Sequence, residues 1–424
     1  MFQRSIARRF FCEKAVLLTL APFALRAAKA YAKLSGPVAD RPEWATLSRY
    51  SGRLTRREFE DRLKTIFLAE QESLSSFEIS DGSVRIPTGD PTVPFAEVAF
   101  RQANQPVPVE TDVAGFPNWK SIASLPPAPP DRPLDGLHIA LDPGHIGGSW
   151  AVMEARHFRI GKSKPVREGE MTLRVAQRLE KLLRAQGAKV SLVRKSLSPT
   201  TDKRPSFFSK LLKKDEEGSK LDGARLKSQS ELLFYRVSEI RARADLVNRK
   251  IQPDMVICLH FNAEEWGDPE KPTLSKENHL HLLVNGCYHA SEIAKDDIRF
   301  EMLIQTFGGM VNASLPASEA VARSFAKTTQ LPPYTYKGRN AARIGTSGYV
   351  WTRNLLANRL YRVPTLFLEP YVMNSQSVWE RIQAGDYEGT KTVGGLQQLS
   401  IFREYAEAVA NGIVEHVRSG RATA

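Results

Sequence analysis

The stretch Met255-Val-Ile-Cys-Leu259, continuing directly into His260-Phe-Asn-Ala263, decides how this chain is read. Five apolar side chains in a row, without polar alternation, read as a strand buried on both faces, as in the interior of a parallel sheet. Working outward, the neighbouring segments alternate in type. Upstream, His138 to Leu141 (HIAL) and Lys189 to Val193 (KVSLV) read as strands. Between them, Met171 to Leu183 sets Leu173, Ala176, Leu179, Leu182 and Leu183 on one helical face, and Val237 to Val247 reads as a further helix. Downstream, Leu280 to Val284 and Thr365 to Leu368 are strands, and Ile401 to Val417 is a closing helix. This alternation predicts an α/β domain over 137–420: a mostly parallel sheet with helices on both faces.

In such a sheet, ligands gather beyond the carboxyl ends of the strands. Three predicted strands end in a residue able to bind metal or accept a proton: the first runs into Leu141-Asp-Pro-Gly-His145, the second into His260, the third into Glu369-Pro370. Glu168 stands just before the amphipathic helix that starts near Glu170. Two histidines and one carboxylate leave an open position on a zinc ion, the arrangement of a hydrolytic site, and a further carboxylate can take a proton from the water held there. Taken singly, each residue has a plainer reading. His145 can cap a glycine loop, His260 can be a satisfied core histidine, Glu168 can favour a helix N-terminus and Glu369 can be a loop acid. Their shared place at one edge of one predicted sheet favours the site.

The segments LDPGH (141–145), EGEMTL (168–173), CLHFNA (258–263) and PTLFLEPYVMN (364–374) resemble the zinc-dependent N-acetylmuramoyl-L-alanine amidases of bacterial cell walls. The order agrees as well, with a KVSLVR strand, an Arg-rich helix ending in RADLVN (243–248) and then Asp254. The resemblance spans roughly 137–417. It implies one zinc ion held by His145, Glu168 and His260, with Glu369 as the catalytic glutamate and Arg243 and Asn262 in support. Glu168 is preferred over Glu170 by its spacing to Leu173, and Glu170 stays open as the alternative ligand. The implied reaction cleaves the amide between the lactyl group of muramic acid and the L-alanine of the stem peptide. The chain departs from the family where Ile146 precedes Gly147-Gly148, and where Pro370-Tyr371 replaces the usual Gly-Phe after the catalytic glutamate. Additions near 196–230 and 286–345 are expected to reshape or cover the cleft.

The chain has 424 residues, 42 % hydrophobic and 25 % charged, which excludes disordered and fibrous classes. Only three cysteines exclude a disulfide scaffold and a multi-cysteine zinc module. Residues 1–30 read as an export signal: Arg4, Arg8 and Arg9 precede the apolar run Ala15 to Leu25, and Ala28-Lys-Ala30 fits a cleavage site. The formal net charge is +13, and removing that signal lowers it to about +8. The expected location is therefore the periplasm or cell envelope. Residues 37–116 read as a small α+β module, with Thr55 capping a helix and a hairpin turning on Asp81-Gly82, where the two-residue turn calls for positive φ. Pro126 to Pro133, within 117–136, reads as a proline-rich extended linker. The basic stretch Lys203 to Lys227 reads as a solvated loop, with contact to anionic envelope polymer as its functional alternative. It lacks the aromatics of a nucleic-acid groove, so nucleic acid is excluded as a partner. His279-x-His281 sets two imidazoles on one strand face and raises the question of a second metal. Peptidoglycan is the expected partner, and an activator protein is left open. The alternatives to an amidase are another zinc peptidase acting on wall peptides and a silent envelope-binding module.

Overall fold

The computed structural model describes residues 41–106, 120–214 and 223–421, so the export signal read in 1–30 lies outside the described residues. Two compact units are present, one containing 203–238 and the other 42–202 with 239–424.

In the larger unit, helix α1 (Arg56–Arg62) starts at Thr55 as expected. The Thr55 hydroxyl accepts the Glu58 amide, while the Glu58 carboxylate accepts the Thr55 amide at 2.7 Å, a reciprocal cap. Strands β1 (Glu78–Ile79), β2 (Ser83–Pro87) and β3 (Phe95–Ala99) form an antiparallel sheet. The hairpin forms with Ile79 opposite Val84, but neither Asp81 nor Gly82 takes positive φ. Ser80 closes the turn instead, its hydroxyl accepting the Ser83 amide at 3.0 Å.

The proline-rich stretch does not stand clear of the body. Leu125 and Leu134 are buried, and the Arg418 guanidinium donates to the Pro130 carbonyl at 2.9 Å. The chain then enters the main sheet as β4 (His138–Pro143). It makes a two-stranded ribbon of β5 (His157–Phe158) and β6 (Val166–Arg167), runs through α2 (Glu168–Ala185) and returns as β7 (Lys189–Leu192).

The smaller unit holds α3 (Pro205–Lys214) and α4 (Gly223–Leu232), which pack on each other. The stretch expected as a solvated loop is therefore helical over much of its described length. Phe208 and Leu212, four residues apart and buried, supply the helical apolar stripe that its lysines obscure in the sequence.

The larger unit resumes with α5 (Glu239–Asp245), β8 (Met255–Leu259), β9 (Leu280–Val284), α6 (Ala290–Ile293), α7 (Asp296–Gly308) and α8 (Met310–Thr329). After these come β10 (Ala342–Arg343), β11 (Val350–Thr352), α9 (Leu356–Leu360), β12 (Thr365–Pro370) and α10 (Gln376–Ala384). A ribbon of β13 (Thr390–Val393) and β14 (Leu396–Leu399) precedes the last helix, α11 (Ile401–Gly420). The main sheet has seven strands in the order β10-β11-β9-β12-β8-β4-β7. Four of its pairings are parallel; β9 with β12 and β10 with β11 are antiparallel. The mostly parallel sheet read from the sequence is thus present, with an antiparallel turn-back at β9.

Alternate residues of the central strands feed two cores, as the two-residue period of a strand requires. Ile139, Leu141, Ile257, Leu259, Leu366 and Leu368 face a large core shared with Leu179, Phe325 and Val409 of α2, α8 and α11. Ala140, Val256, Cys258, Leu283 and Phe367 face a smaller core with Leu360, Tyr361 and Trp351. Helix α7, inside the second addition, packs against the N-terminal segment. Phe307 stacks on Phe59 with centroids 5.1 Å apart, and Trp44 meets Phe300 edge-on at 5.3 Å.

Candidate metal centre

The loop leaving β4 is held by two buried arginines. Arg243, on α5, spans Asp142 at 2.9 Å, the Pro143 carbonyl at 2.8 Å, the His145 carbonyl at 2.8 Å and Glu239 at 2.8 Å. Burial opposes its charge, but Asp142 and Glu239 outweigh that and raise its pKa. Arg194, at the end of the KVSLVR segment, donates to the carbonyls of Gly169 and Ser196, each at 2.7 Å. No carboxylate lies within ion-pair reach of it among the described residues, and burial pushes its pKa down to about 9. Together they fix the start of α2 and the carbonyl of His145. His145 itself has φ +57°, a conformation uncommon outside glycine.

A side chain at Gly144 would collide with the site, since a Cβ there would lie 2.2 Å from Cε1 of His260. Its bare backbone is what allows the two histidines to approach, with ring centroids 5.2 Å apart. Glu168, the first residue of α2, lies between them. Its Oε2 is 3.1 Å from Nε2 of His145, and its Oε1 is 3.1 Å from Nδ1 of His260 and accepts the Phe261 amide at 3.2 Å. Donor atoms of His145, Glu168 and His260 converge within 4.8 Å of one another, and no other such group of three occurs among the described residues. Glu170 does not join them: it pairs with Arg167 at 2.9 Å and is part-exposed.

Around this trio stand residues that sequence reasoning passed over. Glu154 accepts the Ile146 and Gly147 amides at 3.0 and 3.1 Å and faces Nδ1 of His145 at 3.5 Å. The inserted Ile146 is fully buried, so it seats this loop from beneath. Arg156 brings Nε to 3.4 Å from Oε2 of Glu168, and Tyr405 donates to the His260 carbonyl at 3.1 Å. No local motif marks these residues, because they reach the site from the turn ahead of β5 and from the last helix. Tyr371, at the second departure from the family pattern, has φ +58° and donates its hydroxyl to Glu404 at 2.6 Å.

Burial alone would lower the His145 pKa, but Glu168 and Glu154 outweigh it and raise it to about 9. Glu168 is buried too, yet the two histidines hold it well below the ordinary carboxylate value. Glu369, near the end of β12, goes the other way. Burial pushes its pKa up; His260 opposes this and Glu168 reinforces it. The result is a carboxylate trio-partner that ionises readily and, beside it, a carboxyl inclined to hold a proton. Asn262 bridges to the β12 side through its backbone and approaches His279 with its amide at 3.5 Å. Two imidazoles and one carboxylate converging on a shared point form a donor set that fits a divalent zinc ion, with a fourth position open.

A model of the N-acetylmuramoyl-L-alanine amidase family matches residues 139–392. The chain belongs to this family. The sheet and the strand-end residues described above all fall within or beside that span. Among solved structures, the chain is similar to the CwlD amidase of Clostridioides difficile, solved in complex with the GerS lipoprotein. That match has 13 % identity and a TM-score of 0.37, and covers 67 % of this chain and 100 % of the other. The amidase AmiC2 of Nostoc punctiforme matches at 14 % identity and a TM-score of 0.36, over 67 % of this chain and 99 % of that one. The amidase Ami1 of Mycobacterium abscessus matches at 16 % identity and a TM-score of 0.36, with the same two coverages. No curated protein matches the chain. Membership supports amidase action on peptidoglycan, outside the cytoplasm. Among the described residues, no helix is long and apolar enough to cross a membrane.

Proposed function

We propose that this amidase hydrolyses the bond between the lactyl carbonyl of N-acetylmuramic acid and the L-alanine amine of the stem peptide, with one zinc ion held by His145, Glu168 and His260. The observation that carries this reading is the convergence of those three side chains within 4.8 Å. A bound zinc ion supplies Lewis acidity, polarising the scissile carbonyl and making water acidic enough to lose a proton near pH 7. The rest of the chemistry belongs to the chain. Glu369 takes that proton and passes it to the departing amine, a task suited to a carboxyl whose pKa stands above the usual value. Glu154 holds the His145 imidazole in orientation, and the Tyr405 hydroxyl fixes the backbone of His260. Arg243 fixes the backbone of the His145 loop from below. Export through residues 1–30, to the periplasm or envelope, would take the enzyme to its polymer, and the organisation into a 37–116 module, a 117–136 linker and a 137–420 catalytic domain belongs to the same reading.

The test is Glu369→Gln. This variant should keep zinc at wild-type stoichiometry and lose about 10²- to 10⁴-fold in kcat on purified peptidoglycan. Hydrolysis at the wild-type rate would overturn the assigned role.

A further inference from the structure

The His279-x-His281 pair does not gather a metal site. Nε2 of His279 lies 3.3 Å from Glu264, but Nε2 of His281 is engaged by the Tyr336 hydroxyl at 3.0 Å, and no third ligand converges. An aromatic ring packs against both imidazoles instead. Tyr334 lies 4.5 Å from the His279 ring and 4.9 Å from the His281 ring, tilted by 40° and 33°. Tyr336 meets Tyr334 edge-on at 4.8 Å and backs onto Trp351 at 5.3 Å. Both tyrosines come from the addition at 286–345, whose tail runs beside the start of β9: the Tyr334 amide donates to the Leu280 carbonyl at 3.0 Å.

This cluster stands next to the candidate base. In the antiparallel pairing of β9 with β12, His281 is directly opposite Glu369. Directly opposed residues project to the same face, so His281 and Glu369 share the face that carries Phe367 and Leu283. Tyr336 is close enough to Glu369 for that carboxylate to help raise its pKa, after burial. The Tyr–His cluster therefore walls the β9 side of Glu369, with Tyr334 and Tyr336 part-exposed.

We propose that this wall is a sugar subsite in which Tyr334 stacks on an N-acetylated hexosamine ring of the glycan strand and places the muramic lactyl group beside Glu369. The proposal rests on the amidase reading and assigns one side of the cleft to the glycan. Three features choose sugar over peptide. Burial drives the pKa of His281 down to about 3, and that of His279 is also lowered, so both imidazoles are uncharged hydrogen-bonding groups at neutral pH. Glu264, part-exposed beside His279, opposes the carboxylates of a stem peptide. A half-open tyrosine ring flanked by amide, imidazole and carboxylate groups suits a neutral ring with one apolar face and a rim of hydroxyls.

The test uses the full-length zinc-loaded protein carrying Glu369→Gln, so that binding is read without turnover. Two probes are titrated by calorimetry: tetra-N-acetylchitotetraose, and a free stem tetrapeptide. The sugar should bind, Tyr334→Ala should weaken it about fivefold to tenfold, and Tyr334→Trp should retain it. Zinc content should stay at wild-type level in both variants. On peptidoglycan, with Glu369 intact, Tyr334→Ala should raise KM by a similar factor and leave kcat unchanged. Sugar affinity unaffected by Tyr334→Ala overturns the subsite, as does an absence of sugar binding or a loss of tetrapeptide binding instead. If the sugar binds as expected but the enzyme with Glu369 intact leaves peptidoglycan uncut, the amidase reading fails and the sugar site stands.

Discussion

Two pairs of histidines stand at one edge of the same sheet, and they behave in opposite ways. His145 and His260 have the Glu168 carboxylate between them, with contacts of 3.1 Å on each side. His279 and His281 have the Tyr334 ring packed against both. At the first pair Glu168 and Glu154 outweigh burial at His145 and raise it to about 9; at the second, no carboxylate opposes burial at His281, which falls to about 3. Burial is common to both. What separates the candidate metal-binding pair from the uncharged one is the side chain packed against it, a carboxylate in one case and a tyrosine in the other.

Removing that carboxylate should have the largest effect. Glu168→Gln is expected to lose zinc and at least about 100-fold in kcat/KM, more than substitutions behind a metal ligand cost, with zinc content read by elemental analysis. Next comes the close approach that permits the first pair. Gly144→Ala places a Cβ where the His260 ring lies and should lower kcat/KM about 100-fold, while a thermal melt shows the fold retained.

The second pair is broken by acid rather than by metal removal. His281 takes up a proton with a pKa of about 3 when folded and about 6.5 when unfolded. The unfolded chain therefore holds more protons between those values, and stability falls as pH drops through that window. Between pH 7 and pH 4.5 this group should cost about 2.5 kcal/mol, so His281→Asn should lose that much less than the wild type over the same interval, measured by urea unfolding. The smallest effect is expected at Glu170, whose ion pair with Arg167 lies at the rim. Glu170→Gln should change activity less than about twofold and stability by about 0.5 kcal/mol or less. An effect on zinc as large as that of Glu168→Gln would exchange the two glutamates.

Three of the candidate site residues were legible because each follows an apolar run, and Met255–Leu259 or Thr365–Leu368 can be little but buried strand; Glu168 was marked only by its place ahead of an amphipathic helix. The parallel direction of β4, β8 and β12 then brings their ends together without further information. What stayed hidden depends on direction and distance. The reversal of β9, which sets His281 against Glu369, has no local signature, since the apolar run Leu280 to Val284 reads the same either way. Glu154, Arg156 and Tyr405 act across loops and helices far apart in the chain. The pairing of α7 with the N-terminal segment joins residues more than two hundred apart, as Arg62 donating to the Thr306 carbonyl at 2.8 Å shows. In 203–227, lysines dominate the composition and conceal the spacing of Phe208 and Leu212.

The most direct test of the account is the product of digestion. Purified peptidoglycan incubated with the zinc-loaded enzyme should release intact stem peptides with a free L-alanine amine and leave the glycan strands uncut. A chelator should stop the release, and added zinc should restore it. Peptides cut within the stem, or release indifferent to chelation, would contradict a zinc amidase built on His145, Glu168 and His260.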